Sequence, residues 1–280
     1  MAMETPQNKV LLSARLSVRY AEKPVLRDVQ LQIRCGEVMG LVGQSGSGKS
    51  TLAMAILGLL EKKQARPEGS IQFQGSELLQ LSERELRALR GRTVALVLQS
   101  PLSSLNPALK IRTQLKEAWR AHASGTKADC TNAIRARLES VSLPADEEFL
   151  RKYPSQMSVG QAQRVLIAMA VMHRPALLIA DEATSALDVI TQSEILALFR
   201  ELNRSTGMAI LYISHDLASV AGICDRIAIL HQGEIVECGA TEQIFQQPQH
   251  EYTRRLMAAM PQIPASNGHR FTKTEAATAR

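Results

Sequence analysis

Cysteine is scarce in this 280-residue chain: four residues, Cys35, Cys130, Cys224 and Cys238, with no CxxC pair among them. That spacing excludes a cysteine-built zinc site and a disulfide framework and points to plain thiols in a reducing compartment. Aromatic residues are also few, 4% of the chain with a single Trp. The net charge of +6 is not spread over a basic face, since five Lys/Arg against two Asp/Glu fall from position 249 onward. A basic surface interleaved with aromatics, the footprint of a nucleic-acid binder, is therefore missing, and no nucleic-acid partner is expected. Long apolar runs are missing too. "VLIAMAVM" at 165–172 is among the longest, far short of the roughly 18 residues that cross a bilayer. The opening "MAMETPQNKV" has neither a basic nor an apolar signal region, so no secretion signal is expected.

What is present reads as a soluble α/β protein, 45% apolar and 21% charged, without internal repeats. "ARLSVRY" at 14–20 and "VQLQI" at 29–33 alternate like half-buried strands, and "VMGLV" at 38–42 is apolar throughout, as a strand covered on both faces would be. "TLAMAILGLL" continues as an apolar helix. Ser82 and Glu85 form a capping-box pattern opening a short helix, and "TVALVLQ" at 93–99 reads as a further strand. From about 100 to 157 prolines give way to amphipathic helical stretches around Trp119, which reads as an inserted helical subdomain. Helices through "GQAQRVLIAMAVMH" and "ITQSEILALFRELN" then alternate with strands "ALLIAD" and "AILYIS", and "RIAILHQGEIVECG" reads as a hairpin turning at Gln232-Gly233. Alternating strands and helices imply a mainly parallel sheet. The polar end "IPASNGHRFTKTEAATAR" reads as mobile.

Between the apolar strand and its helix stands "GQSGSGKST": Gly43, Gln44, Ser45, Gly46, Ser47, Gly48, Lys49, Ser50 and Thr51. In this GxxxxGK[ST] pattern glycines let backbone N–H groups turn inward around phosphates, and the helix start adds its positive end. Lys49 would reach the β- and γ-phosphates and the Ser50 hydroxyl would ligate Mg²⁺. "ALLIADE" at 176–182 supplies a second half, a strand delivering Asp181 to the metal shell and Glu182 beside it as general base for water.

"MSVGQAQR" at 157–164 resembles the LSGGQ signature of ATP-binding cassette (ABC) ATPases, "SALD" at 185–188 their D-loop and "ISHD" at 213–216 their switch-histidine motif. Gln99 matches the Q-loop and Tyr20 the aromatic on which adenine stacks. The elements follow the family's order over nearly the whole chain to about residue 245. The resemblance implies a P-loop NTPase core with an N-terminal antiparallel β portion, the cassette spanning 8–248 and a C-terminal extension 249–280. It implies ATP and Mg²⁺ as ligands, with Glu182, His215 and Gln99 catalytic and Ser50, Gln99 and Asp181 around the metal. It further implies a head-to-tail dimer with a second ATPase subunit, self or paralogue. Ser158, Gly160, Gln161 and Asp188 would then complete the nucleotide site of the partner. Two departures stand out: Val159 replaces a signature glycine and so requires an ordinary backbone there, and Ala183 replaces a proline after Glu182.

"QSPLSSLNP" at 99–107 is similar to the QDPxSSLNP stretch of the oligopeptide, dipeptide and nickel importer group, with Ser100 in place of Asp. "QQPQHEYTRRLMAAMP" at 246–261 is similar to that group's tail. This resemblance implies a subunit energising an importer for peptides or chelated metal at the cytoplasmic face of the bacterial inner membrane. Two transmembrane permease subunits would be its direct partners, and an extracytoplasmic solute-binding protein an indirect one. Leu102 and Leu105 are the expected exposed contacts for the permease. The alternative is a soluble ABC ATPase acting on ribosomes or DNA, which one cassette without long heptads argues against.

Overall fold

The computed structural model describes residues 9–61 and 64–259; the polar end and the other positions lie outside the described residues. Five consecutive apolar residues make strand β3 (Val38–Val42), buried at every position, and the molecule is arranged around it. Before it come β1 (Val10–Tyr20) and β2 (Lys23–Arg34), and after it α1 (Lys49–Ile56), β4 (Ala65–Phe73), β5 (Ser76–Glu77), α2 (Glu83–Leu89) and β6 (Val94–Val97). Helices α3 (Pro101–Ser104), α4 (Ile111–Arg120), α5 (Lys127–Ser140) and α6 (Glu147–Arg151) follow, then α7 (Val159–Ala170) and β7 (Leu177–Asp181). The chain continues through α8 (Val189–Thr206), β8 (Ala209–Ser214), α9 (Leu217–Ile223), β9 (Arg226–His231), β10 (Glu234–Ala240), α10 (Thr241–Gln246) and α11 (Glu251–Ala258).

One sheet has six strands in the order β10-β9-β3-β8-β7-β6. All its pairings are parallel except the β9–β10 hairpin. That hairpin turns on Gln232 and Gly233, both at positive φ, 49° and 86°, as a two-residue turn matching the strand twist requires. The second sheet, β2-β1-β4-β5, is antiparallel. Strand periodicity splits the large sheet between two cores. On β8, Ala209, Leu211 and Ile213 join the core shared with α1 and the antiparallel sheet, while Ile210 and Tyr212 join the core under α7, α8 and the helical insert.

Two expectations are corrected. The strand expected at 93–99 is only β6, leaving Leu98 exposed and Gln99 two residues past its end. Leu105, expected to be exposed, is buried at 2%, because α3 packs on α7 and draws the residue after it into the core. Leu102 is exposed at 44%. The capping box at Ser82 and Glu85 forms as expected and opens α2.

Candidate functional site

The P-loop rests on the end of β9. A Cβ at Gly43 would meet the Leu230 carbonyl at 2.3 Å, so only glycine fits where the loop leaves β3. Gly48 caps α1 at φ 108°, in the left-handed region that favours glycine. Helix α1 carries no side-chain cap, so its first N–H groups stay free for an anion. Ser47 and Lys49 are buried, and the Ser47 hydroxyl has no hydrogen-bond partner. Gln44, Ser45, Gly46 and Ser50 are exposed, and Thr51 is half-buried.

The Lys49 ammonium donates to the carbonyls of Gly43 at 2.8 Å and Gln44 at 3.1 Å. Glu182 Oε1 stands 3.8 Å from it. Burial pushes the Lys49 pKa down, while Glu182 and Asp181 pull it back up. Asp181 ends β7 as a buried side chain. Burial pushes its carboxyl above the usual range against the Ser50 hydroxyl that bonds it; Glu182 adds to the rise and Lys49 opposes it. Asp181 Oδ1 is buried without a partner. A partnerless carboxylate oxygen beside a hydroxyl is an oxygen-donor set that fits a hard divalent cation.

Glu182 takes a left-handed backbone, φ 48°, which costs about 1–3 kcal/mol for a residue with a side chain. Tertiary bonds impose it: the Glu182 N–H bonds Ile213 O at 2.9 Å, and buried Thr184 meets the Tyr212 hydroxyl at 2.8 Å. The turn aims the carboxylate at both Lys49 and His215, whose Nδ1 stands 3.5 Å from Glu182 Oε1. His215 follows β8 with 58% of its side chain exposed. Neighbouring Asp216 caps α9 and accepts from Gln192 of α8 at 3.1 Å.

The structure thus brings the P-loop, Asp181, Glu182 and His215 together, but not the other expected residues. Gln99 is exposed, with no hydrogen bond to the P-loop among the described residues. Tyr20 ends β1, half-buried against the antiparallel sheet's core. Ser158 caps α7 in a capping box with Gln161. Val159 is the first helical residue, without positive φ, so valine is tolerated there, and it is 39% exposed. Gly160 faces Thr191, whose Cγ2 would lie 2.8 Å from an added Cβ. Asp188 caps α8 through the N–H groups of Ile190 and Thr191 and the Thr191 hydroxyl at 2.7 Å. Signature and D-loop therefore share a second surface, extended by Val189 and Ile190, 82% and 74% exposed. The sequence did not reveal the support under the P-loop from Leu230, or Tyr252 beside it, because both contacts join segments far apart in the chain.

Known proteins resemble this chain in sequence family and in fold. The ABC transporter family matches residues 26–185, and the oligopeptide/dipeptide transporter C-terminal region matches 236–280. The oligopeptide transport ATP-binding protein OppD of Salmonella typhimurium is 40% identical over 271 residues, covering 95% of this chain and 81% of that protein. The glutathione import ATP-binding protein GsiA of Salmonella paratyphi A is 40% identical over 250 residues, covering 87% of this chain; the chain spans 40% of that relative's length. Among solved structures, the dimeric post-hydrolysis state of the ATP-binding cassette MJ0796, bound to ADP and Pi, superposes with a TM-score of 0.71 at 27% identity, covering 82% of this chain and 98% of that one. The fold is that of an ABC ATPase cassette, and the chain belongs to the family of ABC transporter ATP-binding proteins.

Proposed function

We propose that this chain is the ATP-binding, ATP-hydrolysing subunit that energises a bacterial importer of peptide-type solutes. One observation carries the reading: Lys49, Asp181, Glu182 and His215 converge at one site, while exposed Ser158 and Asp188 and half-buried Gly160 and Gln161 sit at the starts of α7 and α8. Such a division suits a composite site, in which ATP held by the P-loop of one subunit is covered by the signature of another. The P-loop amides and Lys49 bind the phosphates, Glu182 accepts the proton of the attacking water, and His215 holds that water and the γ-phosphate in place. Ser50 and Asp181, with Gln99 after closure, would hold Mg²⁺, which neutralises charge on the phosphate oxygens. The cassette is proposed to span 8–248 and the C-terminal extension 249–280, with Tyr20 stacking on adenine.

The partners are a second ATPase subunit, two permease subunits and, through them, a solute-binding protein. Among the described residues no helix is long and apolar enough to cross a membrane, so attachment to the cytoplasmic face would run through the permeases. An apolar groove of about 320 Å³ between β6, α4 and α7, with Leu98 at its rim and exposed Leu102 nearby, suits a short permease helix. Likeness to the oligopeptide transport protein OppD and the glutathione import protein GsiA supports a peptide solute over a chelated metal, and an importer over a soluble ATPase. Co-expression with the permease subunits tests the proposal. The expected outcome is a membrane complex whose ATP hydrolysis rises when peptide-loaded binding protein is added; hydrolysis without co-purification would overturn it.

A further inference from the structure

Helix α11 lies in the segment matched by the oligopeptide/dipeptide C-terminal region, and the structure lays it against the P-loop. Its start is fixed by one carboxylate: Glu237 of β10 accepts the backbone N–H groups of Gln249 at 2.8 Å and His250 at 3.0 Å. His250 then caps the helix by accepting the Tyr252 N–H at 3.1 Å. Thus anchored, Tyr252 is buried and stacks on His231, with ring centroids 3.7 Å apart and planes inclined by 22°. His231 follows Leu230, whose carbonyl supports Gly43. The layers from P-loop to C-terminal helix are therefore continuous.

The Tyr252 hydroxyl ends at the loop itself. Burial pushes its pKa up, and the backbone N–H of Gln44 opposes the shift from the loop side. No hydrogen bond of normal geometry closes on this buried oxygen, an arrangement that costs free energy until the bond is made. The N–H belongs to the Gly43–Gln44 peptide, whose carbonyl accepts the Lys49 ammonium at 2.8 Å. One peptide plane thus joins the C-terminal tyrosine to the phosphate-binding lysine. A cleft of about 500 Å³, lined by Gln44, Gln232, Glu251 and Arg255, gives the loop room to shift toward the hydroxyl.

We propose that Tyr252 is a positioning residue for the ATP site, its hydroxyl closing on the Gln44 N–H as the P-loop wraps a nucleotide, so that the C-terminal region sets nucleotide affinity. The inference rests on the ATP-site reading above. Titration of full-length protein with Mg·ATP tests it, comparing wild type with Tyr252→Phe, which keeps the stacked ring and removes the hydroxyl. The phenylalanine variant is expected to bind about three- to tenfold more weakly, the loss of one hydrogen bond. Its KM should rise with kcat unchanged, and its melting temperature without nucleotide should not fall. Glu237→Gln, which loosens the anchor of α11, is expected to shift affinity in the same direction. Wild-type affinity in Tyr252→Phe overturns the inference alone, whereas a wild-type chain that binds no ATP overturns the site reading with it.

Discussion

The carboxylate of Glu182 stands 3.8 Å from the Lys49 ammonium, close enough that each alters the other's charge environment. With His215 Nδ1 at 3.5 Å on its other side, Glu182 places its negative charge between the two groups proposed to meet the γ-phosphate. On that reading the carboxylate and a bound phosphate would compete for the same lysine.

Glu182→Gln would remove that competition together with the proposed proton acceptor. Steady-state ATP hydrolysis should fall by about 10²- to 10⁴-fold, the contribution of a positioned general base. ATP affinity should hold or improve, and ATP-dependent dimers should persist on size-exclusion chromatography. Wild-type turnover in this variant would remove Glu182 from the chemistry.

Asp181→Asn separates metal binding from stability. Burial raises the Asp181 pKa above that of the unfolded chain, so between those two values the native state holds a proton that the unfolded state lacks. Native stability from this group is present at low pH and is lost as pH rises through the folded-state value. The asparagine variant lacks this loss. Its stability relative to wild type should grow as pH rises from about 4 and then level off, in urea melts without nucleotide. The same variant should lose the Mg²⁺-dependent part of the melting-temperature rise that ATP gives wild type.

Ser158→Ala deletes the N-cap of α7 and should cost about 1 kcal/mol in urea unfolding. Because Ser158 lies away from its own P-loop, the isolated chain should keep its ATP affinity. Hydrolysis by the assembled dimer should drop. Equal loss in ATP binding by the isolated chain would contradict a composite site.

Leu102→Asp places a charge on the exposed turn of α3 beside the apolar groove. The expected result is a chain that folds and binds ATP normally, while recovery with permease subunits falls about tenfold or more, the scale of a lost apolar anchor. Unchanged recovery would move the docking surface elsewhere.

The parts legible in the sequence were those whose cause is local. Gly43 to Thr51 follows an all-apolar strand and opens a helix, and the Ser82–Glu85 capping box needs only its own four residues. Strand β4 was not recognised, since Pro67, Glu68 and Gly69 mask its alternation and its strand character comes from pairing with β1. The end of β6 and the burial of Leu105 depend on α7, which comes much later in the chain. Among the candidate site residues, the GxxxxGK[ST] spacing pointed to Lys49, an apolar strand ending in two acids to Asp181 and Glu182, and the family resemblance to His215. The left-handed backbone of Glu182 was illegible because it is imposed by Ile213 and by the Thr184–Tyr212 pair.

The layering around the P-loop also sets an order of assembly during synthesis. Domains begin to fold as the chain emerges, N-terminal segments first, and the P-loop is among the earliest functional segments to appear. Yet β3 is flanked in the sheet by β8 and β9, and Tyr252 stacks on His231 only after β10 and α10 have been made. A nascent chain therefore carries its phosphate loop long before it carries the support for it. The support proposed for the P-loop from Tyr252 would be in place only once the last described helix has been made, so the full ATP affinity of this half-site would wait for late translation.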